Sequence, residues 1–209
     1  MIIREYGDSA ARVILVQPVG QHELPLIDDE IVQIGQITDR PFRYLAVQVE
    51  NWNRDLSPWP APAVFGDEDF GDGAEALLEK ILSLCAEQDK DYIIGGYSLA
   101  GLFALWSACR TDVFSGAAAA SPSLWFPGFS AYMKEKGLEC EMVYLSLLRF
   151  PGAGKPTQSA QEIQRLPQQS HRTPEHHSEN PQIKKHHNFF QLQFYHDHQQ
   201  PSILVFHLL

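Results

Sequence analysis

Ser98 is the residue whose type and surroundings most favour chemistry in this chain. It lies in the segment Gly96-Tyr97-Ser98-Leu99-Ala100-Gly101. A serine hydroxyl is a weak nucleophile, so it reacts only when a turn exposes it beside a base and amide groups face the developing oxyanion. The small residues around Ser98 are typical of such a turn between a strand and a helix. We therefore predict that Ser98 is a nucleophile.

The elements on either side of Ser98 supply this turn. Tyr92-Ile93-Ile94 predicts a short strand, and an apolar helix, buried nearly all round, is predicted from Leu99 to Arg110. Small residues at Gly96 and at Ala100-Gly101 permit close packing of the strand against the helix. The Leu99 amide at the helix N-terminus is the predicted oxyanion donor, and the helix dipole favours negative charge there. An ordinary strand–helix turn and a phosphate-binding helix start are the alternatives.

The remaining pattern predicts an α/β fold, with a mostly parallel sheet and helices on both faces. Short β-branched runs alternate with amphipathic segments, which favours parallel strands joined by helical crossovers. Asp72 and Glu75 precede an apolar series, as in a capping box, and predict a helix start. Besides the elements around Ser98, the predicted strands are 12–17, 44–49, 116–120 and 141–147, and the predicted helices are 26–37, 73–87 and 127–136.

Charge and composition disfavour several classes of partner. The 209 residues carry a formal net charge of −10, whereas a nucleic-acid-binding protein needs a basic surface. The sequence shows neither a secretory signal pattern nor an apolar run near the ~20 residues of a membrane span. Three cysteines without metal-ligand spacing favour reduced thiols. We expect a cytoplasmic protein with no membrane partner, metal or cofactor; the oligomeric state is not indicated.

Five segments within the first 147 residues carry further motifs, and their order along the chain is informative. They are Asn53-Arg54-Asp55-Leu56-Ser57-Pro58, Phe70-Gly71-Asp72-Gly73-Ala74-Glu75, residues 95–106 around Ser98, Asp112-Val113-Phe114-Ser115-Gly116 and Ala120-Ser121-Pro122-Ser123-Leu124-Trp125. Together they resemble the esterase branch of the α/β-hydrolases, the group that contains esterase D and enterochelin-esterase-like enzymes.

This resemblance implies an α/β-hydrolase fold and a serine hydrolase that acts on a small-molecule ester or a similar acyl bond. It implies that Ser98 attacks the acyl group and forms an acyl-enzyme. It also implies that Leu99 supplies one oxyanion amide and that the loop near Pro18-Val19 supplies a second.

The composition of the chain changes after Leu147. Residues 148–209 contain eight of the nine histidines and ten glutamines, and they carry a net charge of +2 where the first 147 residues carry −12. Prolines interrupt this segment and no apolar period runs through it, so we expect most of it to be disordered. In the family, a Gly-Asp turn follows the strand at 141–147 and a histidine comes later. Here the sequence continues Leu148-Arg149-Phe150-Pro151-Gly152, so neither the acid nor the histidine of a triad is assigned.

We interpret residues 1–147 as an α/β-hydrolase-like catalytic domain and residues 148–209 as a Gln/His/Pro-rich tail that is disordered or out of frame. Sequencing the coding DNA across codon 147 tests the frame hypothesis. An alternative frame that restores the Gly-Asp turn and a late histidine is expected, and its absence would contradict the hypothesis. The preferred function is a serine hydrolase. The alternative is a catalytically impaired protein of the same fold, a truncated product or a binding module, that lacks the triad acid and base.

Several other side chains have two interpretations each. The tail histidines lie at irregular spacing in a polar, proline-broken tract, which disfavours a metal site. His22 lines a pocket or is a solvated loop residue. Trp52, Trp59 and Trp125 form an aromatic wall for an acyl or aryl group, or pack against the sheet. Arg54-Asp55 is predicted to pair locally and brace its loop.

Overall fold

A mostly parallel sheet organises the chain in the computed structural model, which describes residues 2–64 and 66–146 and the backbone of residues 190–192 and 206–208. The six strands of this sheet are β1 (Ile2–Gly7), β2 (Val13–Val19), β3 (Phe42–Gln48), β4 (Asp91–Tyr97), β5 (Phe114–Ala120) and β6 (Met142–Ser146). Their order is β1-β3-β2-β4-β5-β6. Strands β2 to β6 run parallel, and β1 pairs antiparallel with β3 at one edge.

Helices cover both faces of this sheet. They are α1 (Ile27–Ile37), α2 (Trp52–Asp55), α3 (Ala74–Leu84), α4 (Leu99–Ala108) and α5 (Phe129–Lys136). Helix α1 packs on the face that carries Leu15 and Tyr44, which we call the α1 face. Helices α3, α4 and α5 pack on the face that carries Ile14 and Ile94, which we call the α4 face. The predicted fold class, a mostly parallel α/β sheet with helices on both faces, is confirmed.

Strand β4 is longer than the apolar pattern predicts. Gly95 and Gly96 have little preference for a strand, yet both belong to β4 because they pair with Ala118 and Ala119 of the neighbouring β5. Tertiary pairing therefore extends the strand as far as Tyr97, directly before the serine.

The capping box predicted at Asp72 and Glu75 is wrong. No side chain caps the first turn of α3. The Ala74 amide donates to the Ser57 carbonyl at 3.2 Å, so a backbone acceptor takes the place of a side-chain cap. Glu75 instead pairs with Arg110 at 2.9 Å.

Strand β1 is not predicted by the sequence pattern. Its side chains are mostly exposed, with Ile2 at 58% and Ile3 at 39%, so no buried alternating face marks it as a strand. Backbone pairing with β3 holds it in place, and Glu5 forms an ion pair of 2.8 Å with Arg43 of β3.

Most of the predicted tail, residues 148–209, lies outside the described residues. The exceptions are the backbones of β7 (Phe190–Leu192) and β8 (Phe206–Leu208), which form a two-stranded antiparallel sheet. The predicted disorder and the histidine set of the tail are therefore untested. None of the helices in the described ranges is both long enough and apolar enough to cross a membrane.

Candidate active site

Ser98 forms the turn between β4 and α4 by itself. Strand β4 ends at Tyr97 and helix α4 begins at Leu99. The Ser98 backbone has a φ of 55° and a ψ of −117°, which lies outside the regions that residues with side chains ordinarily adopt. Such a conformation costs about 1–3 kcal/mol and persists only where the surrounding structure fixes it.

Backbone hydrogen bonds to two neighbouring elements fix this turn. The Ser98 amide donates to the Ala120 carbonyl at the end of β5, at 2.9 Å. The Ser98 carbonyl accepts from the amide of Leu102 in α4, at 3.1 Å, and from the amide of Ser123 after β5, at 3.0 Å. The turn is therefore bonded both to its own helix and to the segment that follows the adjacent parallel strand.

Two glycines allow β4 and α4 to approach closely enough for this turn. A Cβ atom on Gly96 would lie 2.5 Å from the carbonyl carbon of Ala100, and a Cβ atom on Gly101 would lie 2.9 Å from the Gly96 oxygen. Both distances are shorter than nonbonded carbon contacts permit. The spacing of small residues around Ser98 is thus explained by contact between strand and helix.

The hydroxyl of Ser98 is not used to build the helix. Ser98 occupies the N-cap position of α4, where a serine hydroxyl ordinarily accepts a bond from an amide of the first turn. Here its side chain makes no capping bond. Instead, Ser98 Oγ lies 3.3 Å from Ser123 Oγ, and the residue is half-buried. This placement disfavours the ordinary strand–helix turn as the explanation of the motif.

The start of α4 offers amide groups beside Ser98. An α-helix leaves its first four N–H groups without partners inside the helix, and its dipole places partial positive charge there. All ten residues of α4 are buried, with Leu99 only 3% exposed. Little water therefore competes around the Leu99 amide, which increases its effect on a nearby anion.

A second strained serine lies next to the first. In the described part of the chain, Ser98 and Ser121 are the non-glycine residues with positive φ, and the φ of Ser121 is 41°. Both directly follow the ends of neighbouring parallel strands, the edge at which sites form in α/β sheets.

Ser123, the residue whose hydroxyl lies beside Ser98, is given no role by the sequence motifs. Its position just after a strand of small residues, parallel to β4, is the signal that points to it.

The geometry of β2 limits which residues near Pro18-Val19 can supply the second predicted oxyanion amide. Proline has no N–H group, so Pro18 is no donor. Val16 is the last residue of β2 that pairs with β4, opposite Ile94, and β2 continues to Val19. Because β2 and β4 are parallel, the turn after Val19 lies at the same edge of the sheet as Ser98. In that turn, residues 20–22, the Gly20 amide already donates to a carboxylate, Glu23 Oε2, at 2.7 Å.

His22 follows β2 at the same edge of the sheet. It is exposed, and its ring meets that of Trp52 edge-on, with centroids 6.0 Å apart. No hydrogen bond joins it to Ser98 among the described residues. The exposure of His22 favours the interpretation as a solvated loop residue over the interpretation as a pocket-lining one.

The predicted aromatic wall separates into two groups. Trp52 lies with His22. Trp59 and Trp125 belong to a cluster with Phe70, Phe126 and Tyr132, in which Trp59 packs on Phe126 at 5.7 Å and on Tyr132 at 5.4 Å. The Trp59 indole N–H also donates to the Pro127 carbonyl at 2.9 Å. These contacts favour packing for Trp59.

Arg54 and Asp55 brace their loop as predicted. Arg54 Nε lies 2.8 Å from Asp55 Oδ1, and Asp55 Oδ2 accepts from the amides of Asn51 and Glu50 at 2.9 and 3.1 Å. Burial by itself raises the pKa of Asp55, but these hydrogen bonds outweigh it and lower the pKa below its ordinary value. Both carboxylate oxygens of Asp55 are therefore occupied by contacts that hold the loop.

The described residues contain no group of three or more His, Cys, Asp or Glu side chains placed to hold a metal ion. The three cysteines are free thiols.

The comparisons with known proteins return structures and nothing else: no family model and no curated protein matches the chain. Similar solved structures include the siderophore hydrolases EstA and EstB from Aspergillus nidulans, at 17% and 15% identity with TM-scores of 0.46 and 0.45. The alignments cover 63% of this chain and 57% of EstA, and 78% of this chain and 73% of EstB. Enterochelin esterase from Shigella flexneri matches at 17% identity and a TM-score of 0.45, over 67% of this chain and 39% of that one.

These neighbours are esterases and hydrolases, which is the kind of protein that the motifs resemble. This chain spans little more than half of EstA and about two fifths of the Shigella enzyme. Because every one of these TM-scores is below 0.5, the assignment of the fold rests on the strand order and helix placement of this chain. Those features are a mostly parallel α/β sheet with a serine at the strand–helix turn beyond its fourth strand.

Proposed function

We propose that this chain is a serine hydrolase that cleaves a carboxylic ester or a similar acyl bond through an acyl-enzyme on Ser98. The observation that carries the proposal is the Ser98 turn. A residue with a side chain adopts a strained backbone there, and its hydroxyl is left out of the helix cap. Strain at a serine between a strand and a helix is the signature of a nucleophile elbow.

The reaction follows from the groups around this turn. Ser98 Oγ attacks the acyl carbonyl carbon while its proton passes to a base, and the carbonyl oxygen becomes an oxyanion. The Leu99 amide at the N-terminus of α4 stabilises that charge. The alcohol leaves with a proton, and water that the base activates then attacks the acyl group and releases the acid.

The substrate class follows from the same chemistry. An acyl-enzyme needs a carbonyl carbon with a leaving group, which a small-molecule ester supplies, and it needs no cofactor. We place the reaction in residues 1–147, with the segment 148–209 as a separate unit whose boundary stays a prediction. A cytoplasmic location stays a prediction as well, supported by the three free thiols.

The second candidate function is a catalytically impaired protein of the same fold. The observation that favours it is the partner of Ser98, which is the hydroxyl of Ser123 rather than a histidine in the described residues. A hydroxyl group is a poor general base near neutral pH. A chain that lacks the triad acid and histidine retains the Ser98 turn but does not hydrolyse the substrate.

A fluorophosphonate probe separates the two candidates. We expect the wild-type chain to be labelled on the peptide that contains Ser98, and Ser98→Ala to abolish the label completely. Ser115→Ala is the matched control. Its hydroxyl donates to the Tyr92 carbonyl at 3.0 Å, near the start of β5 and far from the turn, so labelling persists. A wild-type protein that is folded by circular dichroism and unlabelled would favour the impaired form.

A further inference from the structure

We propose that Ser123 is a positioning residue whose hydroxyl donates a hydrogen bond to Ser98 Oγ and thereby favours the anionic form of the nucleophile. This inference rests on the proposed function and adds to it a residue that the motifs leave without a role. The observation that supports it is the contact between the hydroxyls of Ser98 and Ser123, which follow the neighbouring parallel strands β4 and β5.

Ser123 contacts Ser98 through both its backbone and its side chain. Its amide donates to the Ser98 carbonyl at 3.0 Å, and its Oγ lies 3.3 Å from Ser98 Oγ. Ser123 is only 2% exposed, so water does not displace this contact. The hydroxyl–hydroxyl distance exceeds the usual 2.7–2.8 Å, and such a bond shortens when the acceptor becomes negatively charged.

The segment that carries Ser123 is fixed by bonds that do not involve Ser98. The Ser121 amide donates to the Ser146 carbonyl at 2.8 Å, and the Phe126 amide donates to the Ser123 carbonyl at 2.9 Å. A Cβ atom on Gly101 would lie 3.3 Å from the Cα of Pro122, so the segment lies close against α4. A donor held in this way needs no reorganisation when charge develops, which is the condition for electrostatic stabilisation.

The direction of the hydrogen bond during attack follows from proton counting. Each hydroxyl carries one proton and can accept as well as donate. When Ser98 gives its proton to the base, Ser98 Oγ can only accept. Ser123 therefore becomes the donor at the moment when Ser98 Oγ carries its highest negative charge.

The test replaces the hydroxyl of Ser98 by a thiol, so that the measurement does not depend on turnover. In the Ser98→Cys protein, the pH dependence of alkylation by iodoacetamide reports the pKa of the introduced thiol, and peptide mass spectrometry identifies the modified residue. Burial raises the pKa of Cys85 and Cys109 to about 12 and that of Cys140 to about 11. These native thiols therefore remain mostly protonated at neutral and mildly alkaline pH, and the peptide analysis separates any alkylation of them from alkylation at position 98.

Adding Ser123→Ala to this protein should raise the pKa of the introduced thiol by about one unit. Alkylation at neutral pH should then slow by up to about tenfold, in proportion to the thiolate fraction. Two variants serve as controls in the same background: Ser123→Thr keeps a hydroxyl donor and Ser115→Ala removes a hydroxyl elsewhere, and both should leave the pKa in place. Equal thermal unfolding of the variants shows that a change in folding is not responsible.

The outcomes distinguish this inference from the proposed function. An unchanged pKa with Ser123→Ala, or the same rise with Ser123→Thr, overturns the role of Ser123 whether or not the wild-type chain reacts with fluorophosphonate. A rise with Ser123→Ala alone, in a chain that fluorophosphonate does not label, supports the role of Ser123 while the proposed function fails. A rise together with labelling supports both.

Discussion

The two faces of the sheet hold their interiors together in different ways. On the α4 face, strand and helix touch through glycines, and the whole of α4 is buried among apolar side chains. On the α1 face, the apolar cluster encloses polar groups, because Gln17, Glu30 and Tyr44 are all buried there. The comparison indicates that the turn at Ser98 depends on the steric fit between β4 and α4. On the α1 face, a buried ionisable group is expected to make the free energy of unfolding depend on pH.

Glu30 is the centre of the polar cluster on the α1 face. The Tyr44 hydroxyl donates to Glu30 Oε2 at 3.3 Å, while Glu30 Oε1 and Gln17 Oε1 have no hydrogen-bond partner. Burial and, to a lesser extent, the charge of Glu23 raise the pKa of Glu30 to about 8, and hydrogen bonds with Tyr44 and Gln17 offset this rise only in part. The carboxyl group is therefore mostly protonated at neutral pH.

The largest expected effect comes from a methyl group placed between β4 and α4. Gly96→Ala puts a Cβ atom 2.5 Å from the backbone of Ala100, so strand and helix must separate. We expect the free energy of unfolding to fall by about 3 kcal/mol or more. Urea denaturation measures this change. The fluorophosphonate labelling that we propose for Ser98 should also be lost, because the Ser98 turn depends on the same contact.

Gly35→Ala is the matched control on the other face. Gly35 is an exposed residue of α1, and a Cβ atom there meets nothing within 4 Å. Alanine favours the helix over glycine, so this variant should gain about 0.5–1 kcal/mol of stability. Equal denaturation midpoints for Gly96→Ala and the wild-type chain would show that steric fit does not govern the α4 face.

A smaller effect, seen only as a pH dependence, is expected on the α1 face. The folded-state pKa of Glu30, about 8, lies above its ordinary value of 4.5. Below pH 4.5 both the folded and the unfolded chain hold the proton, so Glu30 costs no stability. Between 4.5 and 8 only the folded chain keeps it. The free energy of unfolding therefore falls as pH rises, by up to about 1.4 kcal/mol per pH unit.

Glu30→Gln removes this titration. Urea denaturation at pH 5, 6 and 7 should show a flatter pH dependence for the variant than for the wild-type chain, by up to about 2–3 kcal/mol over those two units. Asp29→Asn, at an exposed neighbour on the same helix, should keep the wild-type dependence. If the free energy of unfolding changed with pH in the same way for Glu30→Gln and the wild-type chain, Glu30 would not make the α1 face sensitive to pH.

Local pattern was sufficient for most of the sheet and for the turn. Parallel strands joined by helices produce strong periodic signals because their faces are buried, and β2, β3, α1 and α4 lie close to the predicted positions. The sequence pattern did not predict two features whose hydrogen-bond partners lie far away along the chain. β1 is exposed and is held by pairing with β3, and the start of α3 uses the Ser57 carbonyl instead of a capping side chain.

The sequence by itself determined the fold class and the position of Ser98 between a strand and a helix, because glycine spacing and apolar periodicity act over a few neighbouring residues. Tertiary structure alone decided which groups lie beside Ser98. Ser123 is 25 residues away along the chain and reaches Ser98 only because β4 and β5 are adjacent and parallel. Helical spacing already places Glu30, three residues after Ile27 and four before Ile34, on the buried face of α1, but tertiary structure alone brings the Tyr44 hydroxyl to its carboxylate. Both outcomes depend on the packing of whole elements, which no local pattern encodes.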